Sequence, residues 1–176
     1  MRKQISFVIL LTLAGIAHVA AAGQKPPIAT PQISCAGGTQ VSRSITICAS
    51  NSGAGATGLP AGFSLQWMTC DDYAANSNQW FTSEDPRLSK ASFSGNANSS
   101  RYNLVPGECV TVNIGDLLLD SGASTNSVGS LSCGKCYVFR AFGHATSELN
   151  RSAFTSNLNC STLDCGDSSG FGTALP

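Results

Sequence analysis

The chain has 176 residues, of which only 11% are charged, with ten basic and ten acidic side chains, eight cysteines and 18 glycines. The eight basic residues downstream of Lys3 (Lys25, Arg43, Arg87, Lys90, Arg101, Lys135, Arg140, Arg151) are scattered singly, which excludes nucleic acid as a partner, because phosphate recognition gathers Lys and Arg on one face. Abundant Ser, Thr, Asn and Gly make a poor helix composition and a good one for short strands joined by turns, so the class is all-β.

From the N-terminus, Arg2 and Lys3, the nearly unbroken apolar run Ile5 to Ala17, and Ala20-Ala21-Ala22 fit a cleavable export signal over residues 1–22. Its removal leaves 154 residues carrying eight basic and ten acidic side chains, a net charge of −2. That length suits one domain burying roughly 68–70% of its unfolded surface. No later apolar stretch approaches the ~18 residues that cross a bilayer. The expected product is a secreted or periplasmic monomer that does not span a membrane and uses no cofactor or metal. Residues 23–32, with Pro26, Pro27 and Pro31, read as a stiff linker. Residues 33–163 read as the folded unit and residues 164–176 as a flexible C-terminal tail.

Within the folded unit, alternation marks the strands. Ser44 to Cys48 places Ile45 and Ile47 on one face, and Phe63 to Trp67 turns Phe63, Leu65 and Trp67 inward. Cys109 to Ile114 alternates again after the turn pair Pro106-Gly107, and Tyr137 to Phe142 gives the strongest pattern, with Tyr137, Phe139 and Ala141 inward. A weaker strand is expected from Ala153 to Cys160. Short, widely spaced strands separated by turns predict two packed sheets.

The run Leu131-Ser132-Cys133-Gly134-Lys135-Cys136-Tyr137-Val138-Phe139-Arg140-Ala141-Phe142 resembles the E–F corner and F strand of fibronectin type III domains. The resemblance implies that Tyr137 is a structural corner tyrosine whose hydroxyl bonds back upstream. It also implies that Ile45 to Cys48 is strand B, Phe63 to Trp67 strand C, and Ser152 to Thr162 strand G. The chain departs from that pattern in lacking a strand B tryptophan, in having Cys133 where proline is expected, and in the extra length of Cys70 to Arg101 and Gly115 to Ser130. A generic immunoglobulin-like β-sandwich fits as well.

All eight cysteines (Cys35, Cys48, Cys70, Cys109, Cys133, Cys136, Cys160, Cys165) are expected in disulfide bonds, which roughly a hundred pairings could satisfy. The strand assignments implied by the resemblance put Cys70 beside Cys136, with Cys133 as an alternative, and Cys48 beside Cys109. Proximity pairs Cys160 with Cys165, leaving Cys35 for Cys133.

Four motifs suggest sharper chemistry. Cys133-Gly-Lys-Cys136 has thioredoxin-like spacing, but a strand follows where redox activity needs a helix N-terminus. Cys133, Cys136, Cys160 and Cys165 could hold zinc only as thiolates, which oxidise in an export compartment. Leu117 to Ser124 resembles the active-site signature of retropepsin-like aspartic proteases, which would make Asp120 catalytic in a homodimer, but Asp-Ser-Gly is also what a plain surface turn prefers. Gly166-Asp167-Ser168-Ser169-Gly170 is similar to the nucleophile loop of chymotrypsin-like proteases, yet after the leader His144 is the only histidine to serve it. The triplets at Asn98, Asn150 and Asn159 are glycosylation acceptors in a host that glycosylates.

The sequence thus points to an exported, non-catalytic interaction or structural domain with a protein or glycan ligand. Its candidate binding segments are Asn51 to Gly62, the long loop carrying Tyr73, Trp80 and Phe81, and the loop from His144 to Arg151. An alternative place for Trp80 and Phe81 is over the open edge of a sheet. The alternative function is the aspartic protease built on Asp120.

Overall fold

Eight strands, one short helix and one 3₁₀ turn form among the residues described by the computed structural model: 24–94, 100–115, 123–125 and 130–166. In chain order they are β1 (Gln32–Gly38), β2 (Arg43–Cys48), β3 (Phe63–Thr69), α1 (Cys70–Ala75), β4 (Ser89–Phe93), the 3₁₀ turn Ser100–Tyr102, β5 (Cys109–Ile114), β6 (Ala123–Thr125), β7 (Cys136–Gly143) and β8 (Leu158–Ser161). Strands β1-β2-β5 make one antiparallel sheet, and β6-β4-β3-β7-β8 make a second. The predicted inward set closes between them: Ile45, Ile47, Phe63, Leu65, Trp67, Phe139 and Ala141 are all buried in one apolar cluster. The fold is an all-β sandwich.

The strands that alternation missed are those with the weakest apolar signal. In β1 only Ile33 and Cys35 lean on the core before two glycines, and β4 shows just Ala91 and Phe93 between Ser and Lys. Loops contribute core as well. Tyr102 is fully buried and packs edge-on against Phe63 and Phe93, while Leu59 and Leu104 form an isolated antiparallel bridge. Gly62 has φ of 80°, and a Cβ there would collide with the Phe93 carbonyl, so the turn into β3 requires glycine.

Part of the segment expected as a linker belongs to the fold. Ile28 is 2% exposed, its amide bonds to the Asn150 carbonyl, the Asn150 amide returns to Pro26, and Ala29 bonds to Gly55. Three prolines hid this because they suppress periodicity, whereas a single buried isoleucine anchors the stretch. The last strand also starts later than expected, at Leu158. Between residues 152 and 155 the chain still follows β7, but hydroxyls take over part of the ladder. The Gly143 amide donates to Ser152 Oγ at 2.8 Å and the Ala141 amide to Thr155 Oγ1 at 3.1 Å. The Thr155 amide donates to the Ala141 carbonyl.

All eight cysteines are oxidised in four bridges, as suits an oxidising extracellular or periplasmic environment. Cys48–Cys109 joins directly opposed residues of β2 and β5. The Ala49 amide donates to the Glu108 carbonyl, so this is a non-hydrogen-bonded pair, the closer of the two antiparallel arrangements. Cys70–Cys136 extends the β3–β7 register by one position. The other two expected pairings are corrected: the bridges are Cys35–Cys160 and Cys133–Cys165. Cys160 stands opposite inward-facing Tyr137 and is 3% exposed, so it faces the core and meets Cys35 of the other sheet. Cys165 instead follows a continuation of the β7–β8 pairing, in which the Thr162 amide bonds to Lys135 and the Gly134 amide to Leu163, and this brings it to Cys133. Among the described residues no helix is long and apolar enough to cross a membrane.

Candidate functional site

The inward residues of β3, β4 and β7 leave a complementary outward set, because successive strand side chains alternate faces. Register aligns this set in rows: Ser92, Ser64 and Phe142 lie side by side, as do Lys90, Gln66 and Arg140, and Met68 pairs with Val138. The third row is covered. Thr69 caps α1, its Oγ1 accepting the Asp72 amide at 3.0 Å, with Asp71 and Asp72 in the first turn where the helix dipole favours them. The chain after α1 then lays Phe81 and Leu88 over Met68 and Val138 as a second apolar cluster, with Tyr73 and Trp80 packed against it.

Phe81 is therefore buried and not a free loop residue, and it covers a sheet face, not a sheet edge. Trp80 and Tyr73 are half-buried with their rings in contact. Trp80 Nε1 donates to Asn157 Oδ1 at 3.0 Å, and Asn157 Nδ2 donates to the Tyr73 hydroxyl at 2.8 Å.

The first two rows remain open as a shallow cleft of about 260 Å³ lined by Ser64, Gln66, Ser83, Lys90, Ser92 and Phe142. Lys90 Nζ donates to the Ser83 carbonyl at 2.9 Å. Beside the cleft, rings and guanidiniums alternate. Arg140 lies between Trp80 and Phe154, 4.2 and 3.8 Å from their centroids, and Arg151 lies over Phe154 and Phe142 at 5.2 and 5.1 Å. Gln66 joins the two halves by accepting the Arg140 Nε–H at 2.8 Å. Burial, and then the charge of Arg151, pushes the Arg140 guanidinium down to about 10.

His144 stands at the head of the same face. Its Nδ1 is 2.9 Å from the Ala61 carbonyl, which can only accept, so Nδ1 carries the proton. Nε2 then accepts the Ser64 hydroxyl at 2.7 Å, with Ser92 Oγ at 3.4 Å. Burial lowers the His144 pKa from its ordinary value, against a smaller opposing effect of the Ala61 hydrogen bond. The unfolded chain therefore binds the proton more readily than the folded one. Stability from neutral His144 is complete above about pH 6.5 and falls as pH drops below it toward the folded pKa. The His144→Gln variant should lose this dependence; urea midpoints measured from pH 7.5 to pH 5, roughly spanning that titration, check it. Equal slopes in both proteins would show that His144 does not titrate differently on folding.

The remaining predicted residues are dispersed. Cys133 and Cys136 belong to different bridges, and no cluster of three metal-ligating side chains occurs among the described residues. Tyr137 is buried with its hydroxyl accepting the Ser132 amide at 2.8 Å, which closes the turn before β7. Asp120, Asn98, Ser168 and the leader lie outside the described residues. Gln66, Arg140, Phe142, Arg151 and Phe154 were missed, although the alternation that buries Phe139 and Ala141 also turns Arg140 and Phe142 outward. No protein-family profile matches the chain, and a search of curated proteins finds no match to it.

Proposed function

We propose that this chain is an exported immunoglobulin-like module, of the fibronectin type III kind, that acts by binding and not by catalysis, through the outer face of its five-stranded sheet. The strand pairing supports the sandwich type. Strands β2 and β5 share one sheet and β3, β7 and β8 the other, as strands B and E, and C, F and G, do in such domains. The Tyr137 hydroxyl bond at the corner before β7 agrees with it.

The observation that carries the binding reading is the open cleft, whose polar side chains stand mainly on the paired strands β3 and β4, with Phe142 of β7 beside them. A rigid sheet fixes their spacing, so a ligand meets preorganised donors and acceptors. Screening the purified chain on glycan and extracellular-protein arrays tests this reading. Ligands should be lost with Ser92→Trp, which fills the cleft, and kept with Thr46→Trp on the opposite sheet. Ligands that both variants retain would place binding elsewhere.

A further inference from the structure

Two arginines share one aromatic stack without an acid between them. The rings of Trp80 and Phe154 cover the faces of the Arg140 guanidinium, and Gln66 takes its Nε–H. No hydrogen-bond acceptor meets its Nη nitrogens among the described residues, nor any polar group of the Arg151 guanidinium. The ion pairs found there, Arg87 with Asp85 and Lys135 with Asp71, involve neither of these arginines. Ring packing accounts for Arg140, because a guanidinium between two π faces is held by both. Arg151 packs on Phe142 and Phe154 too, but it is exposed and sets a second like charge across Phe154 from the first. A planar oxyanion bound at the outer edge of the two forks would relieve that repulsion and use the free donors in pairs.

We propose that the Arg140–Arg151 stack binds the carboxylate or sulfate groups of an acidic polysaccharide whose chain continues into the adjoining cleft. This rests on the binding reading above and names its ligand class. The cleft favours a sugar over an acidic peptide. Ser64, Ser92, Gln66 and Lys90 offer hydroxyl, amide and ammonium groups suited to a ring bearing many hydroxyls, and the large apolar wall is Phe142, shared with the stack.

The test is affinity electrophoresis of the full processed chain in gels containing polygalacturonate, dextran sulfate, neutral dextran or polyglutamate. Retardation is expected with one or both acidic polysaccharides, the responding polymer telling carboxylate from sulfate. Raising ionic strength until the Debye length shrinks from about 10 Å to about 3 Å should abolish it. The R140Q/R151Q variant should bind at least about tenfold more weakly, a loss within the range of charge-assisted contacts. Its melting curve should stay within a few degrees of wild type, because the relieved repulsion offsets part of the lost ring and Gln66 contacts.

The R140K/R151K variant, which keeps charge but not the planar fork, should bind between the two. Equal retardation by polyglutamate would make the ligand an acidic peptide, and equal retardation by neutral dextran would remove the role of charge. Unchanged binding by R140Q/R151Q would remove the site. Each result overturns the inference, and so does absence of retardation in every gel. Array ligands still sensitive to Ser92→Trp would leave the binding reading standing in that event.

Discussion

Replacing Cys35 and Cys160 together by alanine is expected to destabilise the chain more than removing any other bridge. The pair is separated by 125 residues and ties β1 of one sheet to β8 of the other. Constraining a loop of that length lowers unfolded-chain entropy by an amount worth about 5 kcal/mol at 25 °C, against about 4 kcal/mol for Cys133–Cys165 with its separation of 32. Domains of this size have about 5–15 kcal/mol in total, so the variant should unfold at far lower urea and approach the threshold of folding. The Cys133→Ala/Cys165→Ala variant should keep a clear cooperative transition. Urea unfolding of both, with a non-reducing peptide map to verify the pairs, checks the order. A map linking Cys35 to Cys133 would overturn the assignment itself.

The second large effect is expected at Phe63→Ala. Phe63 is 0% exposed and sits at the start of β3, with its ring 5.1 Å from Phe93 and 6.0 Å from Tyr102. Those partners are held by β4 and by the 3₁₀ turn, so they cannot collapse freely into the space, and the loss should be about 3–5 kcal/mol. Phe154→Ala is the control, because that ring is half-buried and packs outside the sandwich against Phe142 and Arg140. Its cost should be smaller, about 1 kcal/mol or less, in line with the aromatic and cation–π contacts it makes. Similar urea midpoints for the two variants would mean that the aromatic cluster around Tyr102 is not a rigid part of the core.

The contrast between these phenylalanines shows what could be read from sequence. Phe63, Leu65 and Trp67 announce an inward face because burial on one side imposes period two, and the same rule located β2, β5 and β7. It fails where a short strand has little apolar area, as in β4, and where loops supply core, as with Ile28, Leu59 and Tyr102. The bridges divide in the same way. Cys48–Cys109 lies within one sheet and Cys70–Cys136 one position past the β3–β7 pairing, so strand pairing decides both, whereas Cys35–Cys160 depends on how two sheet margins meet, which no local pattern encodes. The outer-face site was legible in part. Arg140 and Phe142 follow from the alternation in β7, but Arg151 and Phe154 reach the same patch only through the irregular chain before β8.

That irregular chain has a consequence for solubility. A regular outermost strand would offer an incoming polypeptide an even row of amides and carbonyls, the template on which fibrils grow. Here the Ser152 and Thr155 hydroxyls replace main-chain carbonyls in bonding the β7 amides, so the backbone is displaced from the repeat that cross-β stacking needs. Beyond β8 the flank of this sheet is thereby finished by two small polar side chains, which makes that stretch a poorer template for strand addition than a regular edge.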